Sequence, residues 1–124
     1  MAVLTQDVLR IIGKDGIVVG SVANGAAQPK DIDLVIKSRG QKDRNPVFTR
    51  LKEAFPTRFD SEGPGHVYIQ AYPLLVELFE YDFWDTQDAQ KNEGRISYAK
   101  AKKQAVMKDV LGVPMLVMKN KSAK

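Results

Sequence analysis

The segment from Asp31 to Ile36, DIDLVI, constrains the fold of this chain more than any other, because charged and apolar residues alternate in it. Successive side chains of a strand point to opposite faces, so the two aspartates share one face. The two isoleucines and Leu34 share the other face, which has to be buried against helices or a second sheet. Two carboxylates on one strand face repel each other, and the pattern therefore predicts a positively charged group between them.

The rest of the chain is typical of short helices and strands in alternation. Thr5 is expected to cap a first helix that ends at Gly13, and Asn45 with Pro46 is expected to start a second. A third helix is predicted over residues 96–111. Strands are predicted over residues 17–21, 31–38, 57–63, 66–71, 74–81 and 113–118. This order predicts a single α+β (α/β-like) domain over residues 1–124, with a mixed β-sheet covered mainly on one face by helices.

The composition narrows the environment in which the chain is expected to work. With 44% apolar and 27% charged residues, it is ordinary for a globular protein. No apolar run approaches the roughly 18 residues that a membrane-spanning helix needs, so no membrane partner is expected. The start, MAVLTQDVLR, lacks the pattern of a signal peptide. The chain contains no cysteine, which excludes disulfides and thiolate metal sites and favours a cytoplasmic location.

A third carboxylate is expected to join the two aspartates. In the apolar segment LLVELFEY, residues 74–81, the alternation of side chains puts Glu77 on the face opposite Leu74, Val76 and Leu78. If this strand lies beside the first with their apolar faces together, Glu77 comes onto the side of Asp31 and Asp33. Hard divalent cations such as Mg²⁺ take carboxylate oxygens as ligands and are often shared with substrate phosphates. The three residues are therefore candidate metal ligands.

A small Gly-Ser pair precedes the aspartates. Gly20 and Ser21 follow the apolar segment IVV, and the glycine allows the backbone to come close to a ligand. The serine and its neighbours offer N–H and O–H groups that a phosphate can accept from. A triphosphate would then lie between this turn and metal ions at the aspartates.

The segment from Gly20 to Ile36, GSVANGAAQPKDIDLVI, resembles the nucleotidyltransferase signature of the DNA polymerase β superfamily. That signature is Gly-Ser or Gly-Gly, a short spacer, and Asp-x-Asp before an apolar residue. A carboxylate on a later strand completes the metal site of the family, and Glu77 stands at the matching position. The resemblance covers residues 17–81. Lys30 stands where many members carry serine. The segment KDIDLVI is more similar to the subgroup of the family that has lysine or threonine near the aspartates.

The resemblance implies the nucleotidyltransferase fold and transfer of a nucleoside monophosphate from an NTP to a hydroxyl. Asp31 and Asp33 would hold two Mg²⁺ ions, and Glu77 would hold the ion that activates the hydroxyl and would help to remove its proton. Gly20, Ser21 and Lys30 would bind the nucleotide. The acceptor stays open between a protein, a nucleic acid and a small molecule, and small members of the family occur with partner proteins.

Two other interpretations stay open. One is a catalytically weak or inactive module of the same fold that binds a partner, as an antitoxin does. The other is a nucleic-acid-binding protein that uses the basic C-terminal third, since residues 91–124 hold nine Lys or Arg and two Asp or Glu. His66, the only histidine, is expected at a loop or strand edge without a metal-binding role, because it lacks a second nitrogen or sulfur ligand.

Overall fold

The fold is a seven-stranded mixed β-sheet in the order β3-β4-β5-β2-β1-β7-β6. The computed structural model describes residues 3–23, 25, 27–37, 45–63, 66–80 and 98–119. The strands are β1 (Gly16–Val19), β2 (Asp31–Ile36), β3 (Phe59–Gly63), β4 (His66–Ile69), β5 (Leu75–Phe79), β6 (Ala105–Val110) and β7 (Val113–Met118). The pairs β2–β5 and β1–β7 are parallel and the other neighbours are antiparallel.

Four α-helices lie in the described part of the chain. They are α1 (Thr5–Ile12), α2 (Gly20–Ala23), α3 (Pro46–Ala54) and α4 (Tyr98–Lys103), and a short 3-10 helix (Gly13–Asp15) follows α1. An α+β protein with a mixed sheet is therefore confirmed. None of the described helices has the length and apolarity that crossing a bilayer requires.

The larger core lies between one face of the sheet and the helices α1 and α3. Val8, Leu9 and Ile12 of α1 and Val47 and Leu51 of α3 are buried against it. The sheet contributes the residues that the alternation in the sequence assigned to the buried face, among them Ile32, Leu34, Ile36, Val76 and Leu78. We call the opposite side of the sheet the site face. On it, α4 packs Tyr98 and Ala101 against Ile17, Val19 and Val35, so the helices that the structure describes cover this face only in part.

Thr5 does not cap the first helix, contrary to expectation. Leu4 occupies the cap position, without a side-chain hydrogen bond, and Thr5 is the first helical residue. The buried Thr5 hydroxyl instead donates to the carbonyl oxygen of Leu74 at 2.7 Å and accepts from its amide at 2.9 Å. The hydroxyl therefore provides the hydrogen-bond partner for both backbone groups of Leu74, a residue distant in sequence that directly precedes β5. Gly13 ends the helix as predicted, with a φ of 55°.

The helix α3, the second one predicted from the sequence, begins at Pro46 as expected, and its cap residue Asn45 also joins two strands. Asn45 accepts from the amide of Val47 at 3.0 Å through its side-chain oxygen. Its side-chain nitrogen donates to the carbonyl oxygen of Lys37 and to Glu80, a buried residue directly after β5. One amide thus fixes the start of α3 to the ends of β2 and β5.

The predicted C-terminal helix over residues 96–111 is confirmed for Tyr98–Lys103 and wrong beyond it, and residues 96 and 97 lie outside the described part of the chain. Ala105–Val110 instead pairs along its whole length with Val113–Met118 as an antiparallel hairpin. The two turn residues, Leu111 and Gly112, have φ values of 52° and 82°, as the commonest tight hairpin turn requires. Helix-favouring residues such as Ala105 and Met107 take the strand conformation here because the backbone of β7 offers them hydrogen-bond partners.

Candidate functional site

The parallel pairing of β2 and β5 brings the predicted carboxylates together on the site face. In the register of the two strands, Asp33 lies directly opposite Glu77, and Asp31 lies opposite Leu75. The apolar residues on either side of these positions are buried in the larger core, which forces the three acidic side chains onto the other face.

The three acidic side chains are close enough to share a cation. One carboxylate oxygen from each of Asp31, Asp33 and Glu77 lies within 4.8 Å of the other two, and all three side chains are half-buried. We call this group the acidic triad. The prediction that Glu77 lies on the side of Asp31 and Asp33 is confirmed, and the separation of the three carboxylates is one that divalent ions can bridge. The donor set consists of oxygens alone, which fits a hard divalent ion such as Mg²⁺, and the triad could hold a metal ion.

The electrostatics of Asp33 reflect the concentration of negative charge. The pKa of Asp33 is raised from 3.8 to about 6. Burial is the largest cause, the negative charges of Asp31 and Glu77 add to it, and His66 opposes the change. A bound cation would stabilise the ionised form of Asp33, because a positive charge compensates both for the lost hydration and for the repulsion by Asp31 and Glu77.

Gly20 lies against the triad. It is the first residue of α2, directly after β1, and has a φ of +73°, a conformation that favours glycine. A β-carbon at this position would come within 2.8 Å of the Oδ2 atom of Asp33. The first strand therefore ends at Val19, two residues before its predicted end, and Gly20 begins a single turn of helix that borders the candidate metal site. The backbone of Ser21 continues this turn, and its side chain lies outside the described residues.

Lys30 directly precedes the first aspartate and is exposed. Its carbonyl oxygen accepts from the amide of Leu75 at 3.3 Å, which extends the pairing of β2 with β5 by one position. The backbone of Lys30 thus helps to set the register of the triad. Its role toward a nucleotide stays a prediction.

His66 is the residue that the sequence-based interpretation missed. Its Nε2 atom lies 3.0 Å from Oε2 of Glu77, and its ring stacks on Phe79 with the centroids 4.4 Å apart. Only the antiparallel register of β4 with β5, in which His66 lies opposite Phe79, brings it there. The glycines and proline that precede His66 predict a hairpin, but they do not fix its register against a third strand.

The described lysines of the C-terminal third do not form one surface. Lys102 and Lys103 belong to α4, which packs on the site face. Lys108 lies opposite Met115 in the β6–β7 hairpin, and Met115 belongs to the core on the other face of the sheet. Among the residues that the structure describes, these exposed cations are therefore distributed over both sides of the sheet.

Comparisons with protein-family models, with curated proteins and with solved structures gave no match for this chain. The nucleotidyltransferase resemblance of the sequence therefore stays a prediction, and the geometry of the acidic triad is what any functional proposal has to explain.

Proposed function

We propose that the protein is a metal-dependent nucleotidyltransferase that transfers a nucleoside monophosphate from an NTP to a hydroxyl group. The single observation that carries the proposal is the convergence of three carboxylates within 4.8 Å on the site face of the sheet. Such a cluster is costly without a cation, as the raised pKa of Asp33 indicates. The Gly-Ser turn beside it supports the assignment of a phosphate-containing substrate.

In this proposal, Asp31, Asp33 and Glu77 hold Mg²⁺. When bound, Mg²⁺ neutralises phosphate charge and lowers the pKa of a bound hydroxyl. The two aspartates would hold the cation that neutralises the α-phosphate of the NTP, and the absence of a side chain at Gly20 would leave the backbone open to the β- and γ-phosphates. Glu77 lies on the far side of Asp33 from β1, where it can orient the acceptor hydroxyl and take up its proton.

The proposal is tested first by metal and nucleotide binding. Mn²⁺, a spectroscopic substitute for Mg²⁺, is titrated into wild-type protein and into Asp33→Asn, and binding is followed by electron paramagnetic resonance. The matched control is Asp60→Asn, which removes an exposed carboxylate from β3, two strands from β5 on the same face. We expect wild type and the control to bind Mn²⁺ and Asp33→Asn to lose it. Equal binding by all three proteins would contradict a metal site at the triad.

The second test addresses catalysis. Purified protein is incubated with Mg²⁺ and each of the four NTPs, labelled at the α-phosphate, together with candidate protein, RNA and small-molecule acceptors. Transfer of the α-label with release of pyrophosphate is the expected result. Metal-dependent NTP binding without transfer to any acceptor would instead support the non-catalytic binding module.

A further inference from the structure

The side chain of Glu77 is contacted from the neighbouring strand by His66. The Nε2 atom of His66 lies 3.0 Å from Oε2 of Glu77, and the two side chains are 26% and 22% exposed. A hydrogen bond that is largely shielded from water is stronger than one on an open surface, because water competes with it less. Among the residues that the structure describes, Glu77 is thus the member of the triad with a hydrogen bond to a side chain outside the triad.

The ring of His66 is itself held in place. It stacks on Phe79 with an interplanar angle of 27° and a centroid distance of 4.4 Å. Phe79 lies directly opposite His66 in the β4–β5 pairing, two residues after Glu77 on the same face. The imidazole therefore rests on one residue of β5 while its Nε2 atom reaches another.

A fixed partner matters more for a glutamate than for the two aspartates. The side chain of glutamate has one more rotatable bond, so ordering it costs more conformational entropy. A hydrogen bond at Oε2 restricts these rotamers and leaves the second oxygen of the carboxylate for a cation. Hydrogen bonds to metal-binding carboxylates commonly set the orientation of the ligand.

We propose that His66 is a positioning residue, whose Nε2–H donates to Oε2 of Glu77 and holds this carboxylate in the orientation in which the acidic triad takes up a divalent metal. The inference rests on the proposed function, because it assigns a role within the same site. The neutral imidazole with its proton on Nε2 is sufficient for this role. In this role His66 acts on the metal site through its hydrogen bond to Glu77.

The two contacts of His66 can be separated by substitution. His66→Phe keeps an aromatic ring for the stack on Phe79 and removes the donor. His66→Gln removes the ring and keeps an amide N–H donor at a similar reach. Tyr68→Phe is the matched control, because Tyr68 lies on the same face of β4 as His66. Its hydroxyl donates to Asp60 of β3 at 3.2 Å, and β3 lies on the side of β4 away from Glu77.

The experiment measures Mn²⁺ affinity by electron paramagnetic resonance for wild type and the three variants. We expect His66→Phe to lose about 10–100-fold in affinity, the usual effect of removing a partner of a metal ligand. His66→Gln should recover most of this loss, and Tyr68→Phe should equal wild type. In nucleotide transfer, His66→Phe should lower kcat and leave KM for the NTP nearly unchanged, because Glu77 serves the acceptor side.

The possible outcomes separate this inference from the proposed function. A wild type that binds Mn²⁺ together with a His66→Phe variant of equal affinity would overturn the positioning role alone. Equal losses in His66→Phe and His66→Gln would overturn it too, because the donor would then not be what matters. A wild type without Mn²⁺ binding would overturn both proposals. Should His66→Phe fail to fold, His66→Leu removes the donor with a smaller side chain and is interpreted in the same way.

Discussion

The carboxylate of Asp33 occupies the space that a side chain at position 20 would need. A β-carbon on Gly20 would lie 2.8 Å from Oδ2 of Asp33, and no real β-carbon contact is that short. Gly25 offers a control within the same segment, because its φ of +79° is similar and nothing lies within 4 Å of its β-carbon position. Both glycines have a positive φ, but only the β-carbon position of Gly20 lies against Asp33.

We expect Gly20→Ala and Gly25→Ala each to lower the free energy of unfolding by about 1–2 kcal/mol, the cost of a left-handed backbone for a residue with a side chain. Gly20→Ala should in addition displace Asp33 and weaken Mn²⁺ binding, whereas Gly25→Ala should bind Mn²⁺ like wild type. Urea denaturation and metal titration measure the two effects. Equal Mn²⁺ affinities of the two variants would show that the Asp33 contact does not matter for the metal.

The raised pKa of Asp33 predicts a pH dependence of stability in the absence of metal. Its pKa rises from 3.8 to about 6 on folding, so the folded protein holds this proton more tightly than the unfolded chain. The stabilisation is present below about pH 4 and is lost as the pH rises through about 6. Thermal melting in EDTA should show this loss in wild type, and Asp33→Asn should lack this component. If the melting temperatures of wild type and Asp33→Asn differ by the same amount at about pH 4 and at pH values above about 6, the raised pKa of Asp33 would be contradicted.

Glu77→Gln should separate binding from catalysis. Glutamine keeps an oxygen that can accept from His66, so the side chain stays in place while its charge is lost. Affinity for Mn²⁺ without nucleotide should fall at least as far as in His66→Phe, because a charged ligand of the triad is lost. NTP–Mg²⁺ affinity should remain near that of wild type, because Asp31, Asp33 and the phosphates of the nucleotide then hold the ion. Turnover should fall by about 10²–10⁴-fold, the usual effect of losing a general base. Single-turnover kinetics with an identified acceptor measure the step, and unchanged turnover would remove Glu77 from the proposed mechanism.

Thr5→Val should destabilise the protein strongly even though the shapes of the two side chains match. The substitution leaves both the carbonyl and the amide of Leu74 without the partner that the hydroxyl provides. Each buried unsatisfied group costs about 1–3 kcal/mol, so we expect the two groups to lower the free energy of unfolding by about 2–6 kcal/mol in urea denaturation. Thr5→Ser keeps the hydroxyl and should lose only about 1 kcal/mol, from one missing methyl group. Similar losses in the two variants would indicate packing alone.

The acidic triad could be predicted from the sequence because strand alternation is a local property. Once Ile32, Leu34, Val76 and Leu78 are assigned to the core, the faces of the acidic residues follow. The proximity of β2 and β5 was an assumption, and their parallel pairing confirms it. Gly20 was also identified, though its contact with Asp33 follows only from the three-dimensional structure.

The parts that could not be predicted depend on long-range pairing. The role of Thr5 requires Leu74, far along the chain, and the role of His66 requires the register between β4 and β5. The segment from Ala105 to Val110 has the composition of a helix and becomes an edge strand only through its pairing with β7. Local propensity is a weak guide wherever tertiary hydrogen bonds compete with it.

The parallel pairing of β2 and β5 has a consequence for how the protein reaches its native state. Because α3 and the β3–β4 hairpin lie between these strands along the chain, Asp33 and Glu77 meet only after that whole segment has closed a long loop. Pairings of this kind form slowly, since the entropy of loop closure is lost before the contacts compensate for it. A divalent ion that needs both strands would bind only after β2 and β5 have paired, so Mn²⁺ uptake during refolding would report the formation of this long-range contact.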